Sequence, residues 1–174
     1  MTATDMTRSL QARADIHDVL MRYCRGVDRL DEDLLRSCYH DDSIDDHGHW
    51  KGSGPAFAAF IVASIGARAH HTTHSVANVL IELDPDVSEL ARVESYAMAY
   101  LRRTDEVGGE WLDCFAGRYL DRFERREGRW AIAARTVVHD WSISSRLDPS
   151  TAFPLVMDGF EQGRRDRADP VYRR

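Results

Sequence analysis

From His71 onward the chain turns rich in β-branched and aromatic residues, in four runs near 71–83, 90–103, 110–125 and 129–142, and this late block of strands constrains the fold more than any other feature. The runs are separated by Asp84-Pro85-Asp86, by the stretch from Asp105 to Gly109 and by Arg126-Glu127-Gly128, each short enough to join antiparallel neighbours. Before His71 the period changes. Ile16, Val19, Leu20, Tyr23, Cys24 and Val27 recur at helical spacing, which predicts a long amphipathic helix over about Ser9 to Leu30 whose last turns reach Gly26 to Asp28. A second, short helix is expected from an Asp31 N-cap to about Tyr39, with Leu34, Leu35 and Cys38 on one face. Residues 40–51 are dense in acid and histidine around Gly48 and read as a short strand or hairpin. Gly52-Ser53-Gly54-Pro55 then opens a third, well-buried helix over Ala56 to Ala67. Helices followed by consecutive long strands specify an α+β fold, a cone-shaped, curved antiparallel sheet wrapped around N-terminal helices, with a pocket at its open end.

A chain of 174 residues fits one domain, able to bury about two thirds of its unfolded surface. The core of that domain spans about 9–142, and residues 143–174 form a C-terminal segment placed to cover the pocket, with one short helix possible within Pro149 to Gln162. The net charge of −6 argues against phosphate neutralisation, so no nucleic-acid partner is expected, and the Arg-rich stretch Gly163-Arg164-Arg165-Asp166-Arg167 reads as solvated. No apolar run approaches the roughly 20 residues of a membrane span, and Met1 to Leu10 lacks a secretory core, so a cytoplasmic location and no membrane partner are expected. Cys24, Cys38 and Cys114 are far apart among apolar neighbours and read as reduced core residues.

His70-His71-Thr72-Thr73-His74 invites a metal reading, but alternation along a strand lets two of these histidines converge at most. Zinc asks for three or four ligands, and Asp45, Asp46, His47 and His49 complete a set only if the two strands pair; no metal site is expected, and His47, His49, His70 and His71 read as surface residues. His74 stands inside a strand expected to line the concave side. Asp28, at the C-terminal end of the first helix, is badly placed for the helix dipole, so local stability does not explain it. A nearby histidine does: an Asp that accepts from one imidazole nitrogen leaves the other as a general base, or merely ties helix to sheet.

The combination of Gly26-Val27-Asp28, Tyr39 with Asp41-Asp42, His71-Thr72-Thr73-His74 with Asn78, and Gly117-Arg118-Tyr119-Leu120-Asp121-Arg122-Phe123 leading into Glu127-Gly128-Arg129-Trp130 resembles the SnoaL-like branch of the NTF2-like superfamily over about residues 9–142. Asp28 and His74 are similar to the catalytic dyad of the scytalone dehydratase and hexachlorocyclohexane dehydrochlorinase members. The resemblance implies proton abstraction beside a leaving group without a cofactor, on a fold that also serves isomerases, cyclases and non-catalytic proteins. It further implies association through the outer sheet face, as a homodimer or homotrimer.

Further pocket candidates follow from parity and position. Tyr23 precedes Asp28 on the first helix, Tyr119 points inward if the family's register holds, and Arg135, Val137, His139 and Trp141 share one face of the last strand. Asp45, His47 or His139 can supply a polar group of another kind, whereas Arg118 and Asp121 read equally as surface or interface pairs. Trp141, Tyr119 and Met98 favour a ring-bearing, mostly apolar small-molecule substrate. The expected activity is a lyase of the dehydratase type; an isomerase or retro-aldol lyase using the same dyad, and a non-catalytic binding module akin to a dioxygenase β subunit, are the alternatives.

Overall fold

A computed structural model describes residues 2–148, 150 and 159–173. Helix α1 (Ala3–Asp28) starts earlier than its apolar stripe, because Thr2 and Asp5 form a reciprocal capping box: the Thr2 hydroxyl accepts from the Asp5 N–H and the Asp5 carboxylate from the Thr2 N–H. Its apolar stripe, Ile16, Val19, Leu20, Tyr23, Cys24 and Val27, is buried throughout. Helix α2 (Glu32–Arg36) has the Asp31 cap but stops short of Tyr39, since Tyr39 opens strand β1 (Tyr39–Asp46) and is committed to the sheet. Strand β2 (Lys51–Gly52) folds back on β1 as the expected hairpin, with Gly48 at φ +72° in the turn. Ser53 caps α3 (Gly54–Arg68), with Pro55 in its first turn.

The strand block consists of β3 (His71–Leu83), β4 (Leu90–Thr104), β5 (Glu110–Arg126) and β6 (Arg129–Arg146), antiparallel in succession. The six strands run in the order β2-β1-β6-β5-β4-β3 and curl around the helices without closing. One pairing departs from the expected antiparallel sheet: β1 runs parallel to β6. Parallel neighbours need a long crossover, here everything from β2 to β5, and no short turn in the sequence reports it. Between sheet and helices lies one apolar core, in which Ile16, Leu20, Phe57, Phe123 and Ile132 are at most 1% exposed. Each such side chain contributes about 1.5–3 kcal/mol by leaving water. Cys24, Cys38 and Cys114 are buried and free, and burial pushes the Cys24 thiol up to about 12.

Register shifts bend the sheet, and the one between Ala116 and Gly117 matters most because Trp141 faces Ala116 while His139 faces Gly117, leaving Asp140 as the extra residue of a β-bulge. A Cβ on Gly117 would lie 2.1 Å from the Val138 carbonyl oxygen and 2.7 Å from the Phe115 ring. Gly117→Ala is therefore expected to cost about 1–3 kcal/mol, as overpacking does, visible in a thermal melt as a clear drop in midpoint. An unchanged midpoint would show that the bulge relaxes freely.

The C-terminal helix expected within Pro149 to Gln162 falls largely on residues 149 and 151–158, outside the described residues. What is described there corrects the reading of a merely solvated tail. Asp31 accepts from Arg167 (2.9 Å) and from the Tyr172 hydroxyl (2.7 Å), and Arg29 pairs with Asp169 at 3.4 Å. These contacts fasten residues 165–172 to the junction of α1 and α2, at the end of α1 that carries Asp28.

Candidate active site

Asp28 closes the last turn of α1, and Leu30, at φ +53°, turns the chain away. Strand β3 is an edge strand, so its outward N–H groups have no ladder partner. Asp28 satisfies one of them: its Oδ2 accepts the His74 backbone N–H at 2.9 Å, while its Oδ1 lies 2.7 Å from His74 Nδ1. Two bonds from one residue to one carboxylate fix both the position and the tautomer of the ring. A carboxylate only accepts, so Nδ1 carries the proton and Nε2 is left as the basic nitrogen. The side chains of His74 and Asp28 are 10% and 13% exposed, enough for the imidazole to reach a cavity while Asp28 stays behind it.

That cavity, about 490 Å³ between α1, α3 and the concave sheet, is walled by Val27, Phe57, Ile61, Ile65, Leu101, Phe115 and Val137. Its polar lining is Tyr23, His47, His49, Arg68, His74, Tyr119 and His139. The rings of Tyr23 and Tyr119 meet edge to face at 5.6 Å. Burial pushes both phenols well above the usual tyrosine range, with Arg135 opposing, so they meet a ligand as neutral O–H groups. The His139 ring lies 5.6 Å from that of Phe115, with Nε2 3.1 Å from the Ser142 hydroxyl.

Five expectations change. Trp141 is absent from the cavity wall and 51% exposed on the outer side, because the bulge at Asp140 reverses the alternation that grouped it with His139. Arg135 lies beneath the cavity rather than in its wall: Nε and Nη2 donate to the two oxygens of Asp121 at 2.7 Å each. Its guanidinium sits 4.2 Å from the Tyr23 ring centre and 4.0 Å from that of Tyr119. Asp121, read as a surface or interface residue, is thus a buried partner facing Arg135 across β5 and β6. Burial works against the charge of Arg135, but Asp121 prevails and holds it charged.

Asp45 also lies out of the cavity, fully buried, and His47 stands in front of it instead of on the surface. Tyr39 donates to Asp45 Oδ2 at 2.5 Å, Oδ1 is bonded to His47 Nδ1, and the His47 ring stacks on Phe57 at 4.0 Å and 18°. Phe57 is a cavity residue that the expected site lacked, and His47 enters the wall as one of the polar groups weighed for it. The signal was present for His47, since Asp45 and His47 are two apart and share a strand's side.

The SnoaL-like domain model matches residues 8–136. The chain belongs to the SnoaL-like family. Among solved structures, this SnoaL-like chain is similar to a scytalone dehydratase-like protein from Novosphingobium aromaticivorans DSM 12444, with a TM-score of 0.70 and 19% identity over 82% of this chain and 93% of that one. It is likewise similar to a hexachlorocyclohexane dehydrochlorinase from Novosphingobium barchaimii LL02, with a TM-score of 0.68 and 22% identity over 86% and 97% of the two chains. At these identities the likeness shows the fold. No curated protein matches the sequence.

Within this SnoaL-like chain the dyad has a support from beyond residue 136. Arg165 donates through Nε to the Asp28 carbonyl at 3.3 Å and through Nη1 to the Ala69 carbonyl, joining the end of α1 to the start of β3, the two elements that carry Asp28 and His74. Burial pulls the Arg165 guanidinium below its usual range, against the pull of Asp28. Nothing local in the sequence marks Arg165 out from its neighbours in the Arg-rich stretch. No helix among the described residues is long and apolar enough to cross a membrane, and no group of three or more His, Cys, Asp or Glu among them could hold a metal ion.

Proposed function

We propose that this chain is a cofactor-independent lyase of the dehydratase type, acting on a small, ring-bearing, mostly apolar substrate. The supporting observation is the Asp28–His74 pair: a carboxylate held on both donors of one histidine, with the other imidazole nitrogen at an apolar cavity. In this reading Nε2 of His74 removes a proton from carbon, and the resulting imidazolium is stabilised by Asp28 behind it. The neutral phenols of Tyr23 and Tyr119 donate to a substrate carbonyl oxygen as charge develops there. Phe57, Phe115 and the aliphatic wall exclude water and accept the ring. The names of the structural relatives, a dehydratase and a dehydrochlorinase, both describe elimination and agree with this chemistry.

The test uses two cyclic β-hydroxyketones of different size, 3-hydroxycyclohexanone and 3-hydroxytetralone, with product followed by ultraviolet absorbance. Wild type is expected to dehydrate at least one of them, and His74→Ala to slow that reaction on the order of 10²–10⁴-fold, the contribution of a positioned general base. No elimination by wild type, or equal rates for both proteins, would overturn the proposal.

A further inference from the structure

A second carboxylate–histidine pair, built on β1 and the turn after it, presents its histidine to the cavity with the carboxylate buried behind it, opposite in provenance to the pair on α1 and β3. Asp45 is wholly buried and both of its oxygens are engaged, Oδ2 by the Tyr39 hydroxyl at 2.5 Å and Oδ1 by His47 Nδ1. Phe57 covers one face of the imidazole, and among the described residues nothing is bonded to Nε2 of His47, a ring that lines the same cavity as His74.

Charge sets the role of this pair. Asp45, Arg135 and Asp121 stand in one row across β1, β6 and β5, two carboxylates beside one guanidinium. Arg135 gives Nε and Nη2 to Asp121 and has no bond to Asp45. A buried carboxylate needs a compensating cation or donors, and the donors that Asp45 has are the Tyr39 hydroxyl and Nδ1 of His47, the ring that stands between it and the cavity. The same constraint is weaker at Asp28, whose carboxylate also receives a backbone N–H and is partly exposed.

We infer that His47, positioned by Asp45, is the general acid of this site and that the leaving group it serves is an oxygen. The inference rests on the dehydratase reading above and deepens it. His74 Nε2 takes the carbon-bound proton, and the electron pair of that C–H bond becomes the new C=C bond. The C–O bond on the neighbouring carbon breaks with its pair on oxygen, which takes the Nε2 proton of His47 and leaves as water. His74 ends with one proton more and His47 with one fewer, and transfer of a proton from the first to the second through solvent restores both. Hydroxide is too basic to depart unaided, whereas chloride or a carboxylate departs as a stable anion. An acid in the wall is therefore useful to a substrate that loses a strongly basic group such as hydroxyl, and adds little for one that loses a stable anion.

The experiment compares each β-hydroxyketone with its acetate ester, which gives the same unsaturated product but releases acetate. His47→Gln keeps an amide donor for Asp45 and removes the acid; His47→Ala is made beside it. For His47→Gln the hydroxyl substrate is expected to slow on the order of 10²–10⁴-fold and the acetate by less than about tenfold, because acetate needs no proton to leave. Acetate elimination also reports that the pocket is intact, so a variant that has simply unfolded is recognised by losing both and by its melt. Equal losses on the two substrates in folded His47→Gln, or no loss on either, overturn the role of His47 while leaving that of His74 standing. If His74→Ala matches wild type on both substrates, the dehydratase reading itself fails and this inference falls with it.

Discussion

Asp121→Ala is expected to destabilise the protein by about 3–5 kcal/mol, the cost of stranding one member of a buried ion pair. Both side chains are at 0% exposure, and Asp121 meets two nitrogens of Arg135 at 2.7 Å. With the carboxylate gone, the guanidinium is left between the rings of Tyr23 and Tyr119 with no anion bonded to it. Water cannot replace the lost partner without opening the core. For a chain of this length the melting midpoint should fall by roughly 6–20 °C. The double variant Asp121→Leu with Arg135→Met should recover a large part of that loss, because an apolar pair removes the stranded charge as well as the bond. A single variant within about 1 kcal/mol of wild type would show that the charge finds another partner, with Asp45, its neighbour in register on β1, the obvious choice.

Asp28→Asn should leave the fold nearly intact and, for the proposed lyase, reduce elimination on the order of 10²–10⁴-fold. Both groups that meet Asp28 are donors in the active form, the His74 backbone N–H and Nδ1–H. A carboxylate accepts both, but an amide offers one acceptor and one donor. The backbone N–H cannot change, so the amide oxygen turns to it and the NH₂ faces Nδ1. The ring then takes the other tautomer, with its proton on Nε2, and the base is lost although the geometry survives. Steady-state kinetics with histidine ¹⁵N spectra check this: the expected result is a fall in kcat with Nε2 of His74 newly protonated. Full activity with Nδ1 still protonated would mean that the carboxylate does not set the tautomer.

The strand block was legible in the sequence to within a residue except at the end of β6, which runs to Arg146 and not to about 142, because alternation and turn chemistry are local and β3 to β6 are joined in succession. The start of α1 was misplaced for a related reason: its signal is the Thr2–Asp5 capping box, not the apolar stripe. Asp28 stood out as an acid where a helix end disfavours one, and His74 as a histidine in a strand of the concave side. Trp141 was misassigned because parity assumes an unbroken ladder, and one extra residue at Asp140 reverses every face beyond it.

Other features had no local signature. The pairing of β1 with β6 brings residues about 90 positions apart into register, and with it the row Asp45, Arg135 and Asp121. Arg165 reaches Asp28 and Ala69 from a stretch that reads as solvated. The sequence by itself determined most of the elements and their order, since these follow from spacing along the chain and from which residue types tolerate which backbone, whereas the Asp28–His74 pair was expected from the family resemblance together with an acid at a helix end and a histidine in a strand. Only the tertiary structure decided which polar groups face the cavity and which are buried behind it. That choice depends on bulges, crossovers and the partner each buried charge must find, and these are set by residues far apart in the chain.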